Sequence, residues 1–533
     1  MAMTMILSMS MTAFAAEASK GTLTVNNTVA GKTLDLYQIF TATKNGDNVA
    51  YTLNDAYEGF FQNKITGASK LTGEALSEKA YAYVKEQVGD DGSKGATFAK
   101  DILGWILSAS GETKTAVEST HSTADTADTK TVIDNLVYGY YVVYPLGATD
   151  TSTAPGNETV KSVASLVNVT DTTVTINMKS NYPTVVKKVN DKNADDVNIG
   201  DTVTYTLTSK VPDMTGYTSY VFNFKDTLAK GLTFGSITSV KIGDVTINAD
   251  TDGTKAENTY TLTTKNNEDG TTEIKIEMNK FLASNANKAG QEIKVTYTAT
   301  LNKDAVTGFD PNTNKATVEY SNKPGTNEKG ESEPSIVDVH TFNFTIFKYY
   351  LKGETQTGLA NAEFELYKAN EAGDAADTNA KINIVDEGNG VYRQATADEA
   401  KATDFTSAKI VSDADGKVLV KGLDAGTYYL RETKAPDGYN KLLSDIKVVI
   451  KANYDTTTGK LTNYTVTYTY NGKPITVTNT DKSTSPEVPV ENKTGAQLPS
   501  TGSKGALMVT LAGIVLFGAL TASKAFGKKK AKN

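Results

Sequence analysis

The chain has 533 residues, no cysteine, two histidines and a net charge of −8 at neutral pH. This length predicts roughly three to four domains. The acidic balance argues against nucleic acid as a partner. Without cysteine no disulfide can form, and histidine-based triads and His/Cys zinc sites have almost nothing to be built from. We therefore expect no metal, no cofactor and no turnover enzyme.

The first residues are apolar and rich in methionine, and they end in Ala13-Phe14-Ala15 before Ala16-Glu17. Small residues at this spacing are typical of a signal-peptide cleavage site, although the usual basic start is missing. We expect residues 1–15 to be removed and the remaining chain to be exported.

Short runs rich in Val, Ile, Thr and Tyr make up most of the chain, and Gly, Asn and Asp separate them. This pattern predicts an all-β protein of tandem Ig-like β-sandwiches. The predicted regions are a first module at 16–180, a second at 181–325, a third at 340–482 and a C-terminal region at 483–533. A polar stretch at 322–338 is predicted as a linker, and residues 483–497 as an extended stalk.

The first module combines strands with two predicted helices. Residues 22–25 and 34–40 open it as strands, and strands return at 138–144 and 160–176. Helical spacing of apolar residues predicts one helix from Ser77 to Val88 and another from Ala96 to Leu107.

A lysine of the second module falls on an apolar strand face. Val185, Lys187 and Val189 share one side of the strand, while Lys188 is on the other. Burial makes an ammonium costly, so its pKa falls and the neutral amine becomes a nucleophile. Lys187 is therefore a candidate for covalent chemistry.

Candidate partners of Lys187 are an acid, Asp226, and an amide, Asn314. Asn322 has the same strand parity as Asn314, so alternation cannot choose between them. Glu273 or Glu277 could replace Asp226 as the acid. These alternatives remain open at the level of sequence.

The third module repeats this arrangement. Phe342, Phe344, Ile346 and Lys348 share one strand face, so Lys348 is predicted to be buried. Glu432 is the candidate acid, because desolvation would keep it protonated and able to shuttle a proton. Asn479, which shares its parity with Ile475 and Val477, is the candidate amide. A Lys–Asn isopeptide bond with loss of one ammonia is the predicted product.

The sequence around Glu432 resembles the E-box of Cna B-type domains in Gram-positive pilins and adhesins. The pattern Y-x-L-x-E-T-x-A-P-x-G-Y is matched from Tyr428 to Tyr439. The second module resembles the A-type isopeptide domain of the same proteins, with Asn314 opening N-x-A-x-V. In the first module Asn26 and Asn27 stand where the family lysine would fall, and Tyr144 aligns with Glu432. We expect no internal bond there.

A peptide, an apolar run and a basic end follow one another at the C-terminus. Leu498-Pro499-Ser500-Thr501-Gly502 precedes an uncharged run at 505–523, and lysines close the chain. The run is about the minimum length that spans a bilayer as a helix, and lysines after it favour the cytoplasmic side. This order resembles the L-P-x-T-G cell-wall sorting signal of Gram-positive surface proteins. The resemblance implies that a sortase cuts between Thr501 and Gly502.

A sorting signal needs an amine acceptor. The segment Val174-Thr-Ile176-Asn177-Met178-Lys179 is similar to the V-x-V-Y-P-K motif of shaft pilins, with Asn-Met in place of Tyr-Pro. We prefer Lys179 as the linking lysine and hold Lys161 as a weaker candidate.

The resemblance implies a pilus shaft subunit in the cell wall of a Gram-positive bacterium. Its expected partners are neighbouring pilin subunits, sortase and peptidoglycan, with minor pilins and a host surface as further possibilities. The alternative is a monomeric wall-anchored adhesin with the same domains. A secreted enzyme is disfavoured by the shortage of His and Cys.

Overall fold

The computed structural model describes residues 19–89, 92, 94–107, 117–123, 126–127, 129–149, 163–178, 181–470, 472–481 and 485–495. The predicted signal peptide, Lys161, Lys179 and the sorting signal from Leu498 to Gly502 lie outside these ranges. Within them, no helix has the length and apolar character needed to cross a membrane. No cluster of acidic or histidine side chains in the described ranges could hold a metal ion.

The first domain packs two small sheets against helices. Its strands are β1 Lys20–Asn26, β2 Leu34–Asn45, β3 Asn48–Leu53, β4 His121–Thr123, β5 Lys130–Val137, β6 Gly139–Pro145, β7 Ser165–Val169 and β8 Thr173–Asn177; its helices are α1 Glu58–Lys64, α2 Gly73–Val88 and α3 Gly95–Leu107. One sheet has the order β5-β1-β8, and the other has the order β3-β2-β6-β7 with β4 beside β2. Both predicted helices are present, and α1 is additional.

Helix α2 begins four residues before its predicted start. Ser77 was expected to open the helix, but it lies within it and is buried. Its hydroxyl accepts a hydrogen bond from the Leu53 backbone N–H at 2.8 Å, so it ties the helix to β3 and does not cap it.

The second domain is a sandwich of two sheets. Its elements are β9 Val186–Val189, β10 Ala194–Asp196, β11 Thr202–Lys210, β12 Phe222–Leu228, β13 Leu232–Ile242, β14 Val245–Thr246, β15 Asn248–Ala249, β16 Thr259–Asn266, β17 Thr272–Met278, α4 Phe281–Asn285, β18 Glu292–Leu301, β19 Asn312–Ser321, β20 Lys329–Glu331 and β21 Ser335–His340. One sheet has the order β14-β13-β18-β11-β9, and the other β10-β21-β19-β12-β17-β16-β15 with β20 beside β19. Alternating apolar residues of both sheets fill the space between them.

The predicted linker at 322–338 is a correction. Residues 329–331 and 335–340 are strands, and β21 lies between β10 and β19 in the sheet. Val337 and Val339 are buried while Ile336 is exposed, so a strand alternation was present within the polar segment. The second domain therefore continues to His340, and the third begins two residues later.

The third domain is a second sandwich. Its elements are β22 Phe342–Lys352, β23 Thr355–Gly358, β24 Glu363–Ala369, β25 Ala376–Lys381, β26 Ile384–Gly388, β27 Val391–Gln394, α5 Ala397–Lys401, β28 Ile410–Val411, β29 Lys417–Leu423, β30 Gly426–Lys434, β31 Ile446–Tyr454, β32 Leu461–Tyr470, β33 Lys473–Asn479 and β34 Glu487–Glu491. One sheet has the order β23-β22-β29-β27-β26 with β34 beside β22, and the other β25-β24-β30-β31-β32-β33 with β28 beside β24. The all-β tandem sandwich prediction is confirmed.

The predicted stalk also needs correction. Residues 487–491 form β34, which pairs in parallel with the first strand of the domain, β22. Pro486 and Pro489 suggested an extended spacer, but proline is tolerated at a sheet edge, where a missing N–H leaves no ladder bond unmade. The third domain thus extends beyond residue 482 and includes its own last strand.

Polar contacts join the second and third domains. The Asp196 carboxylate accepts hydrogen bonds from the Ala425 N–H at 2.7 Å and the Tyr454 hydroxyl at 2.9 Å. His340 is 2% exposed at this junction, with its ring near Phe342 and Tyr454. Burial lowers its pKa to about 4. Protonating this imidazole would therefore destabilise the contact between the second and third domains.

Candidate cross-linking sites

The second domain buries a lysine between its sheets. Lys187 lies on β9 and is 1% exposed, whereas its neighbour Val186 on the other face is 53% exposed. Its ammonium is paired with the carboxylate of Asp226, which projects from β12 in the opposite sheet. Strand alternation predicted this burial because Val185 and Val189 belong to the core.

A tyrosine hydroxyl connects this ion pair to an amide. The Tyr297 hydroxyl on β18 accepts a hydrogen bond from Lys187 Nζ at 2.7 Å and donates one to Asp226 Oδ2 at 2.8 Å. The side-chain amide of Asn314 on β19 donates to the same hydroxyl at 2.7 Å. Lysine, acid and asparagine therefore meet at one buried point, with Tyr297 between them.

Burial favours the neutral forms of the charged pair. It lowers the pKa of Lys187 to about 8, although the charge of Asp226 opposes the shift. Burial also raises the pKa of Asp226, against the effect of Lys187. An unprotonated amine beside a protonated carboxyl is the combination that amine attack on an amide requires.

The alternative residues of the second domain lie elsewhere. Glu273 and Glu277 are on β17, at the surface, where they pair with Lys265 and Lys275. Asn322 follows the end of β19, and its backbone N–H donates to the carbonyl of Glu328. None of the three has a described hydrogen bond or ion pair with Lys187, whereas Asp226 has both.

The third domain has a corresponding lysine and acid. Lys348 on β22 and Glu432 on β30 are fully buried, and Lys348 Nζ lies 2.9 Å from Glu432 Oε1. Burial lowers the pKa of Lys348 to about 8. The turn before β29 packs closely against the backbone of Lys348. Gly416 in this turn has φ +75°, and a Cβ there would lie 2.1 Å from the Lys348 carbonyl oxygen, so a side chain would clash.

The segment after Glu432 folds back to hold its carboxyl group. The Leu442 N–H donates to Glu432 Oε2 at 2.7 Å. This fold-back passes through the turn at 436–439, in which the Tyr439 N–H donates to the Pro436 carbonyl. The proline and glycine of the E-box pattern therefore position a hydrogen-bond donor for its own glutamate.

The structure places a different asparagine beside this acid than the one we predicted. Asn492, directly after β34, is 2% exposed, and its side-chain amide donates to Glu432 Oε2 at 3.2 Å and to the Asn440 carbonyl at 2.8 Å. Its backbone N–H donates to the Tyr349 carbonyl, one residue beyond Lys348. Lys348, Glu432 and Asn492 thus form the third-domain cluster.

The structure therefore does not place Asn479 in this cluster, which corrects our prediction that it is the partner of Lys348. It is buried, but it lies on the edge strand β33 opposite Tyr464, in the other sheet. The Tyr464 hydroxyl contacts Asn343, which is five residues before Lys348 on β22, roughly 16 Å along the strand. Alternation gave the correct face for Asn479 but could not give its position along the domain.

In the first domain the positions compared with the family lysine and acid are an asparagine pair and a tyrosine. Asn26 on β1 is partly exposed, and its amide donates to Asn177 on β8 at 2.9 Å. Tyr144 is buried on β6. Neither Asn26 nor Tyr144 is a primary amine or a carboxylic acid.

Two residues of these clusters were missed at the level of sequence. Asn492 shares its strand parity with Val488 and Val490, which are buried, so alternation within β34 was the available signal. Tyr297 alternates with Val295 and Ala299, and a tyrosine in this setting is ordinarily a core aromatic. No local signal distinguishes its hydroxyl.

Comparison with known proteins indicates the class of protein to which the two domains with these clusters are similar. Residues 199–324 match the family described as Gram-positive pilin backbone subunit 2, Cna-B-like domain. Residues 347–465 match SpaA, a prealbumin-like fold domain. The second domain therefore matches a backbone-pilin family, and the two matches together support the class of Gram-positive backbone pilins that the motifs indicated. The description of the second domain is Cna-B-like, so our expectation of an A-type domain at 181–325 is not confirmed.

The chain is also similar to individual proteins. The trypsin-resistant surface T6 protein of Streptococcus pyogenes serotype M6 is 26% identical over 352 residues, which cover 62% of this chain and 59% of that protein. The T6 backbone pilin structure of serotype M6 is 17% identical, covers 90% of this chain and 100% of its own, and has a TM-score of 0.45. The Corynebacterium diphtheriae major pilin SpaA is 17% identical, covers 89% and 99%, and has a TM-score of 0.44.

Proposed function

We propose that this protein is the shaft subunit of a covalent pilus on a Gram-positive cell surface. In this proposal a sortase cuts between Thr501 and Gly502, having recognised Leu498 and Pro499, and joins the Thr501 carbonyl to Lys179 of the next subunit. The last subunit is joined to peptidoglycan. The observation that carries the proposal is a buried Lys–acid–Asn cluster in each of the two domains that match pilin families.

Each cluster forms one internal isopeptide bond. The neutral amine of Lys187 attacks the side-chain carbonyl carbon of Asn314, and that of Lys348 attacks Asn492. A Lys–Asn amide bond forms, the bond from carbon to the asparagine nitrogen breaks, and ammonia leaves. Asp226 or Glu432 carries protons between the two nitrogens and is regenerated. Fixed proximity supplies an effective concentration of ~10⁵ M or more in favourable cases.

The bonds replace the bracing that disulfides give other exported domains. Each closes a loop of roughly 130 to 140 residues, for which the chain-entropy estimate is about 5 kcal/mol per bond. The stabilisation acts mainly by constraining the unfolded chain.

Replacing Lys179 by Ala tests the fibre assignment. We expect the mutant to reach the surface but to lose the high-mass ladder that cell-wall extracts give on denaturing gels. Lys161→Ala is the matched control and is expected to keep the ladder. A ladder that persists in Lys179→Ala would refute the role of Lys179. If the wild type itself forms no ladder, the protein is a monomeric wall-anchored adhesin.

The intact mass of the mature chain tests the internal bonds separately. We expect a mass lower than that of the sequence by two ammonias, one from each of the second and third domains. A mass without any deficit would remove the cross-links while leaving the sortase proposal in place.

A further inference from the structure

The two cross-linking clusters differ in how their reacting nitrogens are connected. In the third domain one carboxyl group touches both of them: Lys348 Nζ is 2.9 Å from Glu432 Oε1, and Asn492 Nδ2 is 3.2 Å from Oε2. A single glutamate can therefore take a proton from one nitrogen and deliver a proton to the other.

The second domain has a shorter acid that does not make both contacts. Lys187 Nζ contacts Asp226 Oδ2, but the Asn314 amide donates to the Tyr297 hydroxyl and has no described hydrogen bond to Asp226. The Tyr297 oxygen accepts hydrogen bonds from both reacting nitrogens, each at 2.7 Å, and its own proton is donated to Asp226 at 2.8 Å. The hydroxyl thus occupies the role that the second carboxyl oxygen of Glu432 has in the third domain.

We propose that Tyr297 is a catalytic residue of the second-domain cross-link and relays a proton from Asp226 to the departing nitrogen of Asn314. This inference rests on the proposed isopeptide bond and adds to it a residue that an aspartate-based site requires. A phenol is suited to the task because its hydroxyl rotates, and it can accept two hydrogen bonds while donating one.

The relay conserves atoms and charge. It begins with an unprotonated Lys187 and a protonated Asp226. Nζ of Lys187 bonds to the side-chain carbonyl carbon of Asn314. Asp226 passes its proton to the Tyr297 oxygen, and Tyr297 passes its original proton to Nδ2, which leaves as ammonia with the electron pair of the broken bond. The Asp226 carboxylate then takes the surplus proton from Nζ, so both side chains end as they began.

Burial keeps Tyr297 in the required form. The side chain is fully buried, and burial raises the pKa of its hydroxyl well above its ordinary value. The group therefore remains a phenol with a proton to transfer. Its ring stacks on Tyr205 with centroids 5.1 Å apart, which fixes the position of the hydroxyl.

Tyr297→Phe in the full mature chain tests the relay. Freshly translated protein is quenched at intervals, and the cross-linked peptides of both domains are quantified by mass. We expect closure of the second domain, meaning formation of its isopeptide bond, to slow by ~10²-fold or more, which is the usual range for losing a proton-transfer group. The bond of the third domain is expected to form at the wild-type rate. Closure of Tyr297→Phe at the wild-type rate would overturn the proposal.

Tyr205→Phe is the matched control. Lys187 Nζ lies 4.8 Å from the Tyr205 ring centroid and 5.0 Å from that of Tyr297, so either change removes one hydroxyl from a buried ring beside the same amine. The Tyr205 hydroxyl is near the Asn314 amide but makes no described hydrogen bond to Lys187 or Asp226, so it cannot pass a proton from the acid, and we expect near-normal closure. Equal slowing in both variants would overturn the relay, because any buried hydroxyl would then have the same effect.

A second measurement separates chemistry from folding. A fluorotyrosine at position 297 keeps the ring and hydroxyl but lowers the phenol pKa, so a relay predicts a changed closure rate and a purely structural hydroxyl predicts none. An unchanged rate would count against the relay even if Tyr297→Phe misfolds. If the wild-type second domain loses no ammonia, the cross-link itself fails, and that result is distinct from a failure of Tyr297 alone.

Discussion

Asn492→Ala is expected to remove the third-domain cross-link and to lower the stability of that domain substantially. Without the bond, the unfolded chain regains the entropy of a loop of roughly 140 residues, which corresponds to about 5 kcal/mol. For a domain of about 150 residues, each kcal/mol shifts the melting temperature by roughly 2–4 °C. We therefore expect the third-domain transition to fall by about 10–20 °C.

The assay combines calorimetry with intact mass. Asn492→Ala is expected to show a deficit of one ammonia relative to its own sequence, and only its third-domain transition should move. Asn479→Ala is the control, because Asn479 is equally buried but lies on β33, opposite Tyr464 of β32. It is expected to retain both ammonia losses. If Asn479→Ala loses the bond and Asn492→Ala keeps it, the reasoning from strand position is refuted.

Three further predictions follow from the described charges. Asp226→Ala is expected to abolish the second-domain ammonia loss, whereas Glu273→Ala, which changes a surface acid, is expected to leave it intact; the reverse result by intact mass would contradict the assignment. In Asn314→Ala the unlinked Lys187 has a pKa near 8 when folded and 10.5 in its ordinary state, so unfolding frees it to bind a proton between these values. Its contribution should raise the free energy of unfolding by about 3 kcal/mol as pH rises across that window, and a denaturation series without this slope relative to Asn314→Ala/Lys187→Met would refute it. The pKa of His340 is lowered to about 4 from 6.5, so its contribution should destabilise the fold by about 3 kcal/mol as pH falls from 6.5 to 4; His340→Phe should lack this component, and parallel pH profiles for the two proteins would be the contrary result.

Strand alternation was sufficient to find the two buried lysines. A period of two assigns each residue to one face of the strand. A lysine that shares its face with Phe342, Phe344 and Ile346 must therefore point into the core. The E-box pattern was equally informative, because its Pro and Gly form the turn that returns Leu442 to Glu432. These features are local, so the sequence contains them fully.

Residues that depend on strand order were harder to predict. Asn479 and Asn492 are both buried asparagines near the end of the third domain, and only the pairing of β34 with β22 distinguishes them. Pro486 and Pro489 suggested a spacer because composition does not show whether a segment lies at a sheet edge. Tyr297 required knowledge of three chain-distant groups that meet at its hydroxyl.

The positions of the proposed bonds determine how a shaft subunit carries tension. With Lys179 as the entry point, the first domain lies outside the path of the force, which enters just before β9. From Lys187 the path crosses to Asn314, so residues 188–313 are bypassed. In the third domain it passes from Lys348 directly to Asn492, leaving only the start of β22 in the path.

The longest stretch of the chain that remains in that path without a covalent bypass joins the two sandwiches. Residues 315–341 connect Asn314 to the third domain and include β21, which is held by pairing with β19 and β10. Pulling on the shaft would therefore load the end of β19 together with β20 and β21, whose buried residues Val318, Val337 and Val339 belong to the second-domain core. The segment has roughly 27 residues, so its release could lengthen the subunit by at most ~90 Å. The contacts of Asp196 and His340 at the same junction oppose this release, and the mechanical limit of the subunit is set there by noncovalent packing.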